Sequence, residues 1–258
     1  VEQHFLGADR NRSEWGFTWH RADETMGQPS EPVIDHVDDL ARYVPPDADA
    51  VGRFAAGAAL MEEYGTDRYY IAALGLTGFT IMTFLWGFSR LLEDLHLRPE
   101  VVSAIADVVF DTENRITERI PKHGYDAVAF FDDWGTQSGM IVSASTWREV
   151  FAPRYRAQFE LCRALGLDVY FHSCGNYRPI VSDLFSAGVD LLNVSQPNVY
   201  DLGELATTFA GRRCFVFPVS YQTTSITGSC EEIRDAVAEL VELFAAPEGG
   251  LIGYVEEY

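Results

Sequence analysis

The amino-acid sequence predicts an α/β fold, and within it a (β/α)8 barrel of TIM type in preference to an open doubly wound sheet. Three observations carry this expectation. Short apolar, β-rich runs recur along the chain, and each ends in polar or small residues. Helical patterns fill the intervals between them, which implies parallel strands joined by right-handed crossovers. No G-x-G-x-x-G follows the first run, so the nucleotide-binding version of the open sheet loses support.

The β-rich runs are RYYIAALG (68–75), DAVAFFDDWG (126–135), DVYFHSCG (168–175), DLLNVSQP (190–197), RCFVFPVSY (213–221) and GGLIGYVEEY (249–258). Near-continuous apolar strands of this kind suit a parallel sheet covered on both faces. They stop two short of a closed barrel, and the remainder is expected before Val1, within 1–65, or after Tyr258. Between them, 80–97 reads as one helix. Pro99 opens a second that runs to His123-Gly124, since proline fits the first helical turn. Ser145 is placed to cap the helix of STWREVFAPRYRAQFELCRALG, and Ser229 or Thr227 to cap CEEIRDAVAELVELFAA. Residues 1–65 are less regular, although EWGFTWHR (14–21) alternates like a short strand. The whole of 1–258 is read as one domain, with 66–258 holding the strand–helix repeats.

Composition narrows the function. The chain has 258 residues, a formal net charge of -20 and 47% hydrophobic residues, an ordinary globular balance. The acidic excess argues against nucleic acid, whose phosphates need a basic stripe. No apolar run is long enough to span a membrane. Lys122 is the single lysine. Four cysteines in a chain of this size do not form a disulfide scaffold, so a reducing cytoplasm is the expected compartment.

The residues able to carry chemistry sit where the strands end: Asp132, Asp133, His172, Cys174, Gln196, Tyr221, Glu256 and Glu257. In a barrel those ends converge on one mouth. His172 and Cys174 stand two apart on a strand and so face the same way. Imidazole nitrogen and thiolate sulfur are preferred zinc ligands, and a catalytic zinc takes three protein ligands and keeps one position open. H-x-C alone also describes a buried thiol beside a hydrogen-bonded histidine. Cys162 and Cys230 lie on helical segments and Cys214 begins a strand, so none is well placed as a third ligand. Glu256 and Glu257 end the last strand on the mouth side. Asp132 and Asp133 face opposite ways, so one of them is expected to enter the mouth as general acid, base, ligand or partner of a ligand.

The segment from Phe130 to Pro197 carries D-D-W-G, S-x-x-x-W-R-E, P-R-Y, HSCGN, G-V-D-x-L-N and Q-P in that order. It resembles the uroporphyrinogen decarboxylase superfamily, and within it the corrinoid-dependent methyltransferases and O-demethylases. EWGFTWHR and GSCEEIRDAV resemble the family's segments on either side. The resemblance implies a (β/α)8 barrel with its site at the C-terminal mouth and zinc held by His172 and Cys174. Related zinc thiol-methyltransferases take a third ligand from a cysteine ending the last strand. This chain reads GYVEEY there, with Glu257 near the cysteine's place, so the implied set is His172, Cys174 and Glu257. A glutamate in place of sulfur makes the set harder and favours an ether oxygen over a thiol.

The expected function is thus zinc-dependent methyl transfer between a small methoxylated (or thiol) compound and a corrinoid carried by a partner protein. Asp132 or Asp133 would orient the site or handle a proton, and Asn176, Gln196, Tyr221 and Glu256 would contact substrate. A homodimer is an expected assembly. Two other readings stay open. A cofactor-independent decarboxylase of porphyrinogen type would need an arginine clamp for its many carboxylates; the early M-R-Q-A-G-R of true decarboxylases is not found, and Arg10, Arg12 and Arg21 stand instead in ADRNRSEWGFTWHR. A non-catalytic ligand-binding barrel is the third.

Overall fold

The β-rich runs form strands and the intervals form helices. A computed structural model describes residues 10–20, 27–29, 31–65 and 67–255. The chain divides into two units, Val1–Phe130 with Leu165–Leu167, and Phe131–Ala164 with Asp168–Tyr258.

The first unit opens with three short antiparallel strands, β1 (Arg10–Arg12), β2 (Thr18–His20) and β3 (Gln28–Pro29), paired in chain order. β2 is the alternating stretch picked out in the sequence. Helix α1 (Ala55–Tyr64) leads to β4 (Ile71–Leu76), then α2 (Gly78–Trp86), α3 (Phe88–Leu97), α4 (Pro99–Thr117) and β5 (Ala127–Phe131), whose last residue belongs to the second unit. The run 80–97 is therefore two helices and not one. Gly87 has φ +92, a conformation that interrupts the helical ladder and that glycine adopts without a Cβ penalty. Arg90 bonds the freed Trp86 carbonyl at 2.6 Å. Helix α4 starts at Pro99 as expected, but ends at Thr117, and a short 3-10 turn carries the chain on to His123. Val101, Val102, Ile105, Val109 and Ile116 make its buried stripe, at the three- and four-residue spacing of a helix face. Buried Glu113 accepts a 2.7 Å bond from the Gly78 amide, which places a carboxylate on the positive N-terminus of α2.

The second unit contains α5 (Ala144–Val150), α6 (Ala152–Ala164), β6 (Asp168–Ser173), α7 (Val181–Ala187), β7 (Leu191–Val194), α8 (Leu202–Phe209), β8 (Cys214–Pro218), α9 (Thr224–Thr227), α10 (Cys230–Phe244) and β9 (Leu251–Tyr254). Strands β6, β7, β8 and β9 pair in parallel and in chain order. An open doubly wound sheet reverses its strand order at a switch point; these four do not reverse, as the barrel reading requires. Ser143, two residues before the expected Ser145, caps α5 by accepting the Thr146 amide at 3.0 Å. Ser229 caps α10 with a full capping box to Glu232, as the sequence suggested.

The faces of the strands divide the labour. Phe171 packs on Tyr155 and Phe159 of α6 at ring separations of 5.6 and 6.1 Å. Phe215 meets Phe185, Phe209 and Phe244 of α7, α8 and α10 at 5.2 to 6.0 Å. These aromatics fill the layer between strands and helices. Among the described residues no helix is long and apolar enough to cross a membrane.

Phe215 is fully buried at the centre of this layer, so Phe215→Ala is expected to cost about 3–5 kcal/mol. Urea denaturation should show a lower midpoint with an unchanged slope.

Candidate functional site

β6 has a strict two-residue alternation. Val169, Phe171 and Ser173 are buried, whereas Tyr170, His172 and, just past the strand, Cys174 are only half-buried on the opposite face. The strand thereby presents an imidazole and a thiol side by side, and His172 Nε2 lies 3.5 Å from Cys174 Sγ.

The loop after β5 supplies the third group. The two neighbouring aspartates part company, as alternation requires. Asp133 turns to the histidine and cysteine, with Oδ1 at 3.8 Å from His172 Nε2 and 2.8 Å from the Cys174 amide that it accepts. Asp132 is fully buried on the other side and accepts a hydrogen bond from the Tyr155 hydroxyl. Its amide donates to the His172 carbonyl at 3.0 Å. Asp133 thus joins the cluster, and Asp132 ties the loop to α6.

One ligand atom each from Asp133, His172 and Cys174 falls within 4.8 Å of the others. Two ligands about 2.1 and 2.3 Å from a tetrahedral centre stand about 3.6 Å apart; the nitrogen–sulfur separation here is 3.5 Å. The donor set is one nitrogen, one sulfur and one oxygen, all types that zinc accepts. The residues present therefore fit such an ion.

Two glycines hold the two loops together. The Gly135 amide donates to the Cys174 carbonyl at 3.2 Å, and the Asn176 amide to the Thr136 carbonyl at 2.7 Å. A Cβ on Gly175 would lie 2.2 Å from the Gly135 carbonyl carbon, and one on Gly135 would lie 2.5 Å from the Asn176 nitrogen. Gly175 also has φ +71, a left-handed conformation that side chains resist.

Other polar residues of the mouth bond its loops together. Gln196 Oε1 accepts from the Gly175 amide at 3.1 Å and from Gln137 at 2.8 Å, while its amide donates to the Tyr221 hydroxyl at 3.1 Å. Asn176 donates to the Val199 carbonyl at 3.1 Å and accepts from the Arg178 amide at 3.2 Å. The sequence predicts Asn176, Gln196 and Tyr221 as substrate contacts; in the structure each also bonds the loops that shape the site. Tyr200 accepts from the Tyr177 amide at 3.0 Å and donates to the Gly175 carbonyl at 2.8 Å. Burial pushes the Tyr200 and Tyr177 hydroxyls well above the ordinary tyrosine range, so both stay neutral donors. Glu256 and Glu257 lie outside the described residues.

The remaining cysteines are elsewhere. Cys162 is buried in α6, where desolvation pushes its thiol up to about 12, and burial also raises Cys214. Neither has the thiolate character of a ligand at neutral pH. Sequence reasoning missed Asn193 and Ser195. Both follow His172 and Cys174 by register, because β7 pairs His172 with Asn193. The Asn193 side-chain oxygen Oδ1 bonds His172 Nδ1, and the Ser195 hydroxyl lies 3.5 Å from Cys174 Sγ. Phe131 sets its ring 5.0 Å from that of His172 and gives the site an apolar wall.

Parallel strands in chain order, with polar side chains gathered past their C-terminal ends, define the class of β/α barrels. The chain belongs to the uroporphyrinogen decarboxylase (URO-D) family, whose model matches residues 16–253. No curated protein sequence matches it significantly. Among solved structures it is similar to a methyltransferase from Methanosarcina mazei, with a TM-score of 0.69 and 18% identity over 88% of this chain. The chain spans 65% of that protein's length. Weaker likenesses, to a 3-keto-D-glucoside 4-epimerase from E. coli (TM-score 0.46, 11% identity, 86% of this chain and 79% of that one) and an N-acetylneuraminic acid synthetase from Leptospira borgpetersenii serovar Hardjo-bovis (TM-score 0.40, 13% identity, 75% and 56%), carry no argument.

The glycine contact gives a direct test. Gly175→Ala is expected to destabilise by more than about 1 kcal/mol, because backbone and not a flexible side chain stands in the way. Gly139→Ala, in the loop after β5, meets open space and should stay within about 0.5 kcal/mol of wild type. Thermal or urea unfolding compares the two.

Proposed function

We propose that the chain is a zinc-dependent methyltransferase that moves a methyl group between a small methoxylated compound and a corrinoid carried by a partner protein. The observation that carries this reading is the convergence of His172 Nε2, Cys174 Sγ and Asp133 Oδ1. Membership of the URO-D family and the fold shared with a methyltransferase support it.

His172, Cys174 and Asp133 would hold the metal. Bound zinc supplies Lewis acidity, which polarises an ether oxygen and eases departure of its methyl group to a strong nucleophile. The chain's own residues do the rest. His172 offers a ring nitrogen and Cys174 a sulfur. Asp133 offers an oxygen, and its bond to the Cys174 amide fixes its bearing on both. A mixed set of this kind is harder than one with two thiolates, which favours an oxygen-bearing substrate over a thiol. Phe131 and Tyr170, with rings 6.1 Å apart, present apolar surface to a methyl or aryl group and limit water beside it. Asp132, bonded to Tyr155, acts in this reading as an anchor of the Asp133 loop.

A porphyrinogen decarboxylase would need arginines directed at its substrate's carboxylates. In the second unit, Arg148 is paired with Asp183 at 2.9 Å and Arg178 with Glu204 at 2.7 Å, so these two are engaged on helix surfaces.

Elemental analysis of the purified protein is expected to find about one zinc per chain, lost in His172→Ala, Cys174→Ala and Asp133→Ala. Retention in Asp133→Ala with loss in Glu257→Ala would return the third ligand to the end of the last strand. The zinc-loaded protein should methylate free cob(I)alamin from methoxylated aromatic compounds, followed by loss of the cob(I)alamin absorbance. No zinc after supplementation, with carbon dioxide released from a porphyrinogen, would overturn the reading in favour of the decarboxylase.

A further inference from the structure

The G-V-D-x-L-N motif ends in a residue that the metal reading leaves unused. Asn193 is 1% exposed and lies in register with His172 on one side and Val216 on the other. Its amide nitrogen donates to the Val216 carbonyl at 2.8 Å and lies 3.3 Å from the Tyr254 hydroxyl. A backbone carbonyl can only accept, so this bond fixes which end of the Asn193 amide is nitrogen. The carbonyl oxygen must then face His172 Nδ1, to which it is bonded. An amide oxygen can only accept as well. The ring nitrogen facing it must therefore carry the proton.

We infer that Asn193 is a positioning residue: it holds the His172 proton on Nδ1 and so turns the Nε2 lone pair toward Cys174 and Asp133. A neutral imidazole has one protonated nitrogen and one lone pair. With the proton on Nε2, a hydrogen would point at the place where a cation would sit, and no nitrogen ligand would be available. The orienting chain is anchored in backbone. It runs from β6 through Asn193 of β7 to the Val216 carbonyl of β8 and the Tyr254 hydroxyl of β9. Partners of this kind, behind a ligating histidine, fix both tautomer and ring orientation. This inference rests on the metal reading above only for its consequence. The tautomer itself is a property of the metal-free protein.

Long-range nitrogen–proton NMR correlations on the metal-free protein test it, with His172 assigned by comparison with His172→Gln. Wild type should show His172 protonated at Nδ1. Asn193→Asp keeps an acceptor for Nδ1 while losing the donor to the Val216 carbonyl, and should still preserve that tautomer; folded Asn193→Ala, which removes the acceptor, should give a mixture of both. Zinc affinity, measured by competition with a chromophoric chelator, should fall about 10–100-fold in Asn193→Ala and much less in Asn193→Asp. A wild-type His172 protonated at Nε2 overturns the inference. So does an Asn193→Ala variant with unchanged tautomer and unchanged zinc affinity. Wild type that binds no zinc but carries its proton on Nδ1 overturns the metal reading and supports the assignment to Asn193.

Discussion

A β-strand has two faces, and the second unit depends on β6 giving them opposite chemistry. Phe171 and Ser173 point into the layer beneath the helices. There the ring packs on α6 and the hydroxyl accepts the Trp134 amide at 2.9 Å. Tyr170, His172 and Cys174 take the other face. A shift of one residue in the pairing of β6 with β7 would bury the imidazole against α6 and turn Phe171 toward Asn193. The apolar layer thus fixes the register, and the register places the polar cluster. Packing and chemistry are set by the same constraint.

The loops that complete the site follow from this placement. Asp132 and Asp133 leave the end of β5 in opposite directions. Each is bonded to a different layer, Asp132 to Tyr155 of α6 and Asp133 to the Cys174 amide. Gln196, Tyr200 and Tyr221 then tie the turn after β6 to the loops after β7 and β8. The polar residues that gather past the strand ends bond one another and the loops, one step back from the cluster. The side chains directed at the common point are few.

Much of this was legible in the sequence. The six β-rich runs became strands because their β-branched and aromatic residues are dense and their ends are marked by glycine and polar residues. His172 and Cys174 were legible from spacing alone, since two residues on a strand share a face. The split of Asp132 from Asp133 was legible as an alternation, but which of them enters the mouth depended on whether Tyr155 or Cys174 met it, and those contacts are long-range. Asn193 was hidden for the same reason: its meaning lies in strand register, and one sequence does not align its own strands. Gly87 looked like a tolerable glycine inside an amphipathic run, and only its left-handed backbone divides α2 from α3. The cap of α5 was misplaced by two residues because Ser143 and Ser145 are both capping types, and the backbone chose between them.

The contact between Gly135 and Gly175 has an entropic consequence. Two loops pressed together backbone to backbone, with no side chain between them, cannot swing apart separately. They form a stiff rim, and the imidazole and thiol behind it are already fixed before any small molecule arrives. Little conformational entropy is then lost on association.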